Sequence, residues 1–216
     1  MNFDFNYLLI LLFFSFMGYL IGSVPFGLVL TKMSGLGDIR NIGSGNIGAT
    51  NVLRTGNKKI AFLTLILDGS KGALALFLLT SVLTNTSILN LYKSELIMSV
   101  VAISSVLGHC FPIWLNFKGG KGVATGFGTI LFLNLIVGII ALIIWVLIAK
   151  LFKISSMSAL ISYFLIPFLM IFNSAENYFI IASIFISSVC WFQHKDNITK
   201  SVLFNKYWSK CIALLT

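Results

Sequence analysis

The stretch from Asn41 to Arg54 concentrates polar chemistry in a chain that is otherwise mostly apolar. It reads N-I-G-S-G-N-I-G-A-T-N-V-L-R, and its glycines can turn successive backbone N–H groups toward one point because glycine tolerates positive φ. A concavity of N–H groups binds anions, and hydroxyl, amide and guanidinium side chains beside it add donors. The alternative is a flexible loop of chance composition. We favour an anion site formed by Gly43, Ser44, Gly45, Asn46, Gly48, Thr50, Asn51 and Arg54.

A second glycine-rich, cationic segment runs from Phe117 to Gly122 and reads F-K-G-G-K-G. Lys121 lies between glycines that allow close approach of the backbone to a ligand. A helix predicted from Val123 onward would direct the positive end of its dipole at a bound anion. For Lys118, an ordinary juxtamembrane lysine is an equal alternative. Two such loops in one chain indicate a site for phosphates, to which the second contributes Lys118, Gly119, Gly120 and Lys121.

Three further ionisable residues lie in or beside apolar runs, where a charge is costly and rarely accidental. Asp68 and Lys71 share one helical face and would pair with each other or with Arg54. A structural ion pair that orients the loop and direct contact with a ligand are equal alternatives for them. His109 precedes Cys110, and adjacent side chains seldom face each other, so a histidine that orders the loop at a helix end is favoured over a Cys–His dyad.

His194 and Asn197 are one helical turn apart, where the last apolar run ends. Both could reach a site on the same side as the two loops, with His194 as a donor or an acid–base group. A solvated start of the tail is an equal alternative.

Composition indicates a membrane protein. The chain has 216 residues, 58% hydrophobic and 10% charged, with a mean hydropathy of +0.99, whereas soluble domains carry about 25% charged residues. We predict an all-α polytopic transmembrane helical bundle, with residues 1–216 as a single membrane domain. The formal net charge is +9, but the basic residues flank apolar runs, which favours anionic lipid headgroups over nucleic acid as their partner.

About seven membrane segments are predicted. Pro25 should loosen or kink the first of them as it leaves the bilayer. The segments cover Tyr7 to Leu30, Ile60 to Leu83, Leu96 to Leu107, two arms of Val123 to Leu151 that turn near Asn134, Ala159 to Phe172, and Tyr178 to Phe192.

The turn near Asn134 follows from charge parity. With two crossings in that stretch, thirteen Lys and Arg lie inside together with Asp38 and Asp196. The first arm then has about a dozen residues, fewer than the roughly 17 of a full span, and must be tilted or shielded by its neighbours at half depth. The positive-inside rule therefore places the N-terminus outside and the C-terminus inside. In this arrangement the outer side holds Asp4, Glu95 and Glu176 and only one basic residue, Lys93.

Motifs of several other classes are absent from the sequence. There is no H-x-x-x-x-D box, no G-x-S-x-G elbow and no carboxylate cluster for a two-metal site. Gly43 to Gly48 matches G-x-G-x-x-G, but an apolar run precedes it where a dinucleotide fold needs a strand. Cys110, Cys190 and Cys211 lack metal-ligand spacing. We expect no metal and no cofactor, and catalysis by holding and polarising a substrate that is already reactive.

Four segments together resemble one family. They read G-S-G-N-I-G-A-T-N-V-L-R, D-G-S-K-G, G-H-C-F-P-I-W-L-N-F-K-G-G-K-G-V-A-T and H-K-D-N-I. In this order, from Gly18 to about Ile198, they resemble the bacterial acyl-phosphate-dependent glycerol-3-phosphate acyltransferases. The resemblance implies a multi-pass inner-membrane enzyme, with its site on the cytoplasmic face. It would transfer a fatty acyl group from acyl phosphate to sn-glycerol 3-phosphate, giving lysophosphatidate and phosphate without a covalent acyl-enzyme.

The resemblance also implies residue roles. Ser44, Thr50 and Asn51 would contribute to a phosphate pocket, while Arg54 and Lys121 would clamp substrate phosphates. Our catalytic candidates are Ser44, Arg54, Lys121, His194 and Asn197, with help from a serine among Ser155, Ser156 and Ser158, and with Asp68, Lys71 and His109 as orienting residues.

The implied partners are the two substrates, membrane lipid and an upstream enzyme that produces acyl phosphate, with no metal, CoA or nucleotide. The chain departs from the family at Lys195, where members usually have Arg, and around Leu203 to Lys206, where the usual glycine and glutamate are missing. The rival function is a transporter or channel for a phosphorylated small molecule. Such a protein should show two related halves with paired, interrupted helices, and no repeat stands out here.

Overall fold

The computed structural model describes residues 5–84 and 94–199, and over these ranges it is all-helical. The predicted helical bundle is confirmed. Several residues of the predictions lie outside the described part of the chain, namely Asp4, Lys93, Cys211 and the tail segment 203–206.

The first predicted span is two helices, α1 (Phe5–Gly22) and α2 (Phe26–Met33), separated at Pro25. The break confirms the effect expected of this proline, because its ring cannot continue a regular helix. Gly22 lies so close to α5 (Ser94–Cys110) that a Cβ there would meet the Ser105 carbonyl oxygen at 2.0 Å. This close crossing fixes the C-terminal end of α1 against the helix that carries His109.

The predicted second span is α4 (Lys58–Thr84), preceded by the short helix α3 (Ala49–Val52). The two arms predicted within the long apolar stretch are also present, as α6 (Val123–Leu133) and α7 (Leu135–Phe152). Asn134 caps α7 by accepting from the Val137 N–H at 3.1 Å, and Gly138 packs directly on Leu131. The predicted turn near Asn134 is thus confirmed.

α6 is 11 residues long, or about 16 Å, roughly half of a bilayer's apolar thickness. Its consecutive residues Thr125 to Ile130 are all buried, so neighbouring helices surround it on every side. Of the two possibilities that the parity argument left open, a tilted arm and an arm shielded by its neighbours, this burial agrees with the shielded one. α6 also packs against the middle of α4, where Thr125 Oγ1 donates to the Asp68 carbonyl oxygen at 2.8 Å.

The last two helices are α8 (Ser155–Phe172) and α9 (Asn177–Gln193), which pack on each other, α8 also on α7 and α9 on α5. Five helical stretches are long and apolar enough to cross a membrane, and α6 and α9 are shorter apolar helices. The number of crossings and their orientation stay predictions.

Candidate active site

Asn51 organises the first glycine loop. Its side chain is 2% exposed, and its Nδ2 donates to the carbonyl oxygens of Ile39, Ile42 and Asn46 at 3.1, 2.9 and 2.8 Å. Its Oδ1 accepts from the Ser44 N–H at 3.1 Å. One buried amide therefore satisfies backbone groups across the whole loop, which holds Ser44 and Asn46 in place.

Gly43 allows Arg54 to fold back over the loop. Its φ is +56°, a left-handed conformation that favours glycine. A Cβ at this position would lie 2.5 Å from Asn51 Oδ1 and 2.6 Å from Arg54 Nη1. The glycine thus gives Arg54 its position beside the buried amide.

Several backbone N–H groups of this loop donate hydrogen bonds within the loop itself. The Gly45 N–H donates to the Ile42 carbonyl at 3.0 Å, and the Gly48 N–H donates to Asn46 Oδ1 at 3.1 Å. With the Ser44 N–H already bonded to Asn51, these three donors shape the loop. We infer that side chains of the loop, more than these amides, are available to an anion.

The second glycine loop packs against His109. A Cβ on Gly119 would lie 2.2 Å from the His109 carbonyl oxygen, and one on Gly120 would lie 2.1 Å from His109 Nε2. The Gly120 N–H also donates to the His109 carbonyl at 3.0 Å. These glycines let the loop lie on the end of α5, while Lys118 is exposed.

Lys121, His194 and Asn197 come together at the end of α9. Lys121 Nζ donates a hydrogen bond to Asn197 Oδ1. His194 is 2% exposed, and its Nδ1 lies 2.7 Å from the Cys190 carbonyl oxygen. A carbonyl only accepts, so Nδ1 carries the proton and Nε2 of the neutral ring is an acceptor.

Burial lowers the pKa of His194, and the nearby Lys121 ammonium lowers it further, against an opposing effect of the bond to Cys190. We expect His194 to stay neutral at pH 7 and to titrate below its usual range near 6.5. Lys121→Met removes the cation and should raise this pKa. The ¹³C shifts of labelled histidine would measure it, with His109→Gln assigning the two resonances, and an unchanged His194 titration in the Met variant would contradict the assigned effect.

Asp68, Lys71 and His109 form a buried polar cluster beside the cleft. Lys71 Nζ donates to Asp68 Oδ1 at 2.9 Å and to the Val24 carbonyl oxygen at 2.9 Å, and lies 2.8 Å from His109 Nδ1. The ammonium can only donate, so His109 Nδ1 accepts from it. The pairing of Asp68 with Lys71 that the spacing suggested is therefore the one formed, whereas Arg54 lies beside Gly43.

A cleft of about 660 Å³ lies between these elements. Thr50 Oγ1 and Ser155 Oγ are 3.3 Å apart across it, which joins the first loop to the start of α8. The cleft gathers all five catalytic candidates, Ser44, Arg54, Lys121, His194 and Asn197, and it is also lined by Asn46, Gly48, Thr50, Asn51, Asp68, His109, Ser155 and Ser156.

Some of the residues predicted for the site lie outside the cleft lining. Ser158 is buried and donates to the Ile154 carbonyl at 2.9 Å, so its hydroxyl is occupied within α8. The others outside the lining are Gly43, Gly45, Lys71, Lys118, Gly119 and Gly120.

The cleft also contains residues that the sequence patterns missed. Lys58 and Lys153 add two ammonium groups, each beside the end of a helix. Ala61, Phe62 and Leu65 of α4 form an apolar wall, and Trp145 of α7 also lines the cleft. A lysine beside an apolar run could have pointed to Lys58 and Lys153, but such lysines are common and do not by themselves indicate a site. Nothing in the sequence singles out Trp145. Within residues 5–84 and 94–199, no three His, Cys, Asp or Glu are grouped to hold a metal ion.

The fold and the cleft define an integral membrane protein in which basic side chains and an apolar wall line the same cleft. Residues 12–203 match the sequence profile of the family described as glycerol-3-phosphate acyltransferase. Relatives with that name include proteins of Gluconobacter oxydans, 47% identical over 195 residues (89% of this chain and 90% of the relative), and of Paramagnetospirillum magneticum, 47% identical over 185 residues (86% and 87%). The chain belongs to the glycerol-3-phosphate acyltransferase family.

Solved structures agree with this assignment. The chain is similar to PlsY, described as an integral membrane glycerol 3-phosphate acyltransferase, in its glycerol 3-phosphate form. The TM-score is 0.80 at 30% identity, covering 89% of this chain and 92% of that one. The lysophosphatidic acid form of PlsY gives a TM-score of 0.78 at 28% identity, with the same coverage.

Proposed function

We propose that this protein transfers a fatty acyl group from acyl phosphate to the hydroxyl of sn-glycerol 3-phosphate, forming lysophosphatidate and phosphate. The observation that carries the proposal is the division of one cleft into a cationic part and an apolar part. Arg54, Lys121, Lys58 and Lys153 surround its polar part, and cations of this kind suit two phosphorylated substrates. Phe62 and Leu65 are 62% and 43% exposed, so that wall faces lipid and suits a fatty chain.

The acyl phosphate supplies the reactivity, since it is an activated mixed anhydride. The hydroxyl oxygen of glycerol 3-phosphate bonds to the carbonyl carbon, the bond from that carbon to the phosphate oxygen breaks, and the departing phosphate takes up the proton. The protein holds both substrates in line and offsets their charge. No acyl-enzyme is required.

Individual residues have separate tasks in this scheme. Arg54 and Lys121 hold phosphate oxygens, and Ser44, Thr50, Ser155 and Ser156 add hydroxyl donors. His194 Nε2 accepts a hydrogen bond from the attacking hydroxyl and orients it, while Asn197 fixes the Lys121 ammonium. Asp68 of α4 and His109 of α5 also line the cleft.

We place the enzyme in the bacterial cytoplasmic membrane with the cleft facing the cytoplasm. The basic loops on either side of the cleft carry the positive-inside signal. The donor would come from an enzyme that makes acyl phosphate.

The test is phosphate release by the purified protein. Acyl phosphate and glycerol 3-phosphate together should yield phosphate and lysophosphatidate, and omission of either substrate, or replacement of the donor by acyl-CoA, should yield neither product. Sealed inside-out vesicles should use added glycerol 3-phosphate, and right-side-out vesicles should not. Uptake of glycerol 3-phosphate without acyl product would support the transporter and overturn the proposal.

A further inference from the structure

The cleft carries more positive charge than the residue roles assigned above use. Among the described residues its lining contains one carboxylate, Asp68, which is paired with Lys71 at 2.9 Å. The cationic side chains of the lining are those of Arg54, Lys58, Lys121 and Lys153. A phosphate ester carries about 1.5 to 2 negative charges at pH 7, so two bound phosphates balance all four cations. Arg54 and Lys121 supply half of that charge, which leaves two lysines without an individual task.

Lys153 occupies a backbone position where glycine is the usual residue. It follows the last residue of α7, with φ +56° and ψ +25°, and its N–H donates to the Ala149 carbonyl oxygen at 3.0 Å. Many helices end with a residue in this left-handed conformation, and glycine is preferred there because it has no Cβ. A lysine at this position lowers stability relative to glycine, which is expected where the side chain has a task of its own.

The Lys153 ammonium is accessible and forms no ion pair in the described part of the chain. The residue is exposed and lines the cleft, and the ion pairs of residues 5–84 and 94–199 involve other side chains. Its four-carbon stem rotates freely, so the ammonium can reach a ligand in the cleft. Lys150, about one turn earlier, is also exposed but does not line the cleft. Position in the cleft therefore distinguishes Lys153 from an ordinary lysine at a membrane surface.

Lys153 lies where the cationic part of the cleft borders apolar surface. Its chain neighbours Phe152 and Ile154 are 53% and 50% exposed, and Ile154 also lines the cleft. Exposed apolar side chains of a membrane protein favour contact with lipid over water. A phosphate joined to a fatty chain suits such a border, whereas glycerol 3-phosphate has no apolar part. Of the two substrate phosphates, that of the donor is therefore the one expected beside Lys153.

We propose that Lys153 binds the phosphate group of the acyl phosphate and holds it as it departs. The ammonium donates to the phosphate oxygens. When the bond from the carbonyl carbon to the bridging oxygen breaks, its electron pair passes to that oxygen, and the cation offsets the charge that the phosphate gains. This assignment rests on the proposed function and makes Lys153 a catalytic residue at the leaving group.

Loss of this cation should weaken use of the donor and spare the acceptor. In Lys153→Ala and Lys153→Gly we expect the KM for acyl phosphate to rise about 3- to 30-fold, less than for a fully buried contact with a charged group because Lys153 is exposed. The KM for glycerol 3-phosphate should change less than about twofold. Lys153→Arg keeps the charge and should retain most of the activity. The matched control is Lys150→Ala, which removes an exposed lysine outside the cleft and should keep wild-type kinetics.

The alanine and glycine variants separate charge from stability. Both lose the same ammonium, but only glycine suits the left-handed backbone. The Tm of Lys153→Gly should equal or exceed that of the wild-type protein and should exceed that of Lys153→Ala, while the kinetic losses of the two variants should agree within about twofold. A loss of activity confined to the less stable Lys153→Ala would indicate a structural role and overturn the assignment.

A pair of inhibitors shows whether Lys153 recognises the charge of a phosphate. A long-chain alkylphosphonate, measured at a pH where it is doubly ionised, carries two negative charges, and an alkylsulfonate of equal length carries one. Wild-type protein should bind the phosphonate more tightly, and Lys153→Ala should reduce this preference at least threefold. Equal weakening of both inhibitors would mean that the side chain only packs, and would overturn the assignment.

The kinetic results separate this contact from the proposed function. If wild-type protein does not use acyl phosphate, the proposed function fails. If it does, only the Lys153 contact fails when Lys153→Ala keeps the wild-type KM for acyl phosphate, when the KM for glycerol 3-phosphate rises instead, or when Lys150→Ala shows an equal loss.

Discussion

Lys71→Met should be the most destabilising of the substitutions considered. It leaves the buried Asp68 carboxylate without its cation and removes the donor to the Val24 carbonyl and to His109 Nδ1. Breaking a buried ion pair by removing one partner destabilises by about 3–5 kcal/mol. Unfolding titrated with sodium dodecyl sulfate in mixed micelles would measure the loss.

The control for this prediction is the double variant Asp68→Asn/Lys71→Met. Both side chains are then uncharged and of similar volume, so the uncompensated charge disappears, and we expect at least half of the lost stability to return. A double variant no more stable than Lys71→Met would show that the ion pair is not the source of the effect. Because Asp68 and His109 line the cleft, activity should fall and recover with stability.

Arg54→Ala should lower kcat/KM for glycerol 3-phosphate at least tenfold. The guanidinium lies in the cleft over Gly43, and a hydrogen bond to a charged group contributes about 1.5–3 kcal/mol, equivalent to about 10- to 150-fold. Arg54→Lys should restore only part of the loss, since lysine retains the charge and loses the two-pronged geometry. Steady-state kinetics with each substrate varied in turn would measure both effects.

Arg40→Ala is the matched control, because Arg40 is a basic residue of the same loop region that lies outside the cleft. It is paired with Asp38, with 2.9 Å from Nε to Oδ1, and exposed ion pairs of this kind contribute little. This variant should keep wild-type kinetics. Equal losses in Arg40→Ala and Arg54→Ala would reduce the effect to general surface charge and remove Arg54 from the site.

The two loops illustrate how one residue type can have different duties. The glycines of the first loop predict an anion site made of backbone N–H groups, but the N–H groups of Ser44, Gly45 and Gly48 donate hydrogen bonds within the loop. Gly119 and Gly120 lie against His109 and bring Lys121 to the cleft. In both loops, glycine provides close packing that places a neighbouring cation.

Much of this protein could be predicted from its sequence. Charge asymmetry and hydropathy are sums over residues and do not depend on how the helices pack, so the sequence alone indicates the helical bundle. They also indicate the turn at Asn134, because a single crossing by residues 123–151 would have put basic loops on both sides of the membrane. The clustering of Ser44, Arg54, Lys121, His194 and Asn197 in one cleft also agrees with their predicted grouping. All five lie in loops or beside helix ends, and the packing of the bundle brings these segments together.

Only the tertiary structure decided which predicted residues face the cleft and which support it. Asn51 bonds to four residues of its own loop, and the Ser158 hydroxyl is occupied within its helix. Lys118 is exposed and does not line the cleft. Lys58, Lys153 and Trp145 line the cleft although no sequence motif marks them. The physical reason is that the facing of a side chain depends on how its helix is rotated and packed against others distant in the chain, and no local pattern of residues determines that rotation.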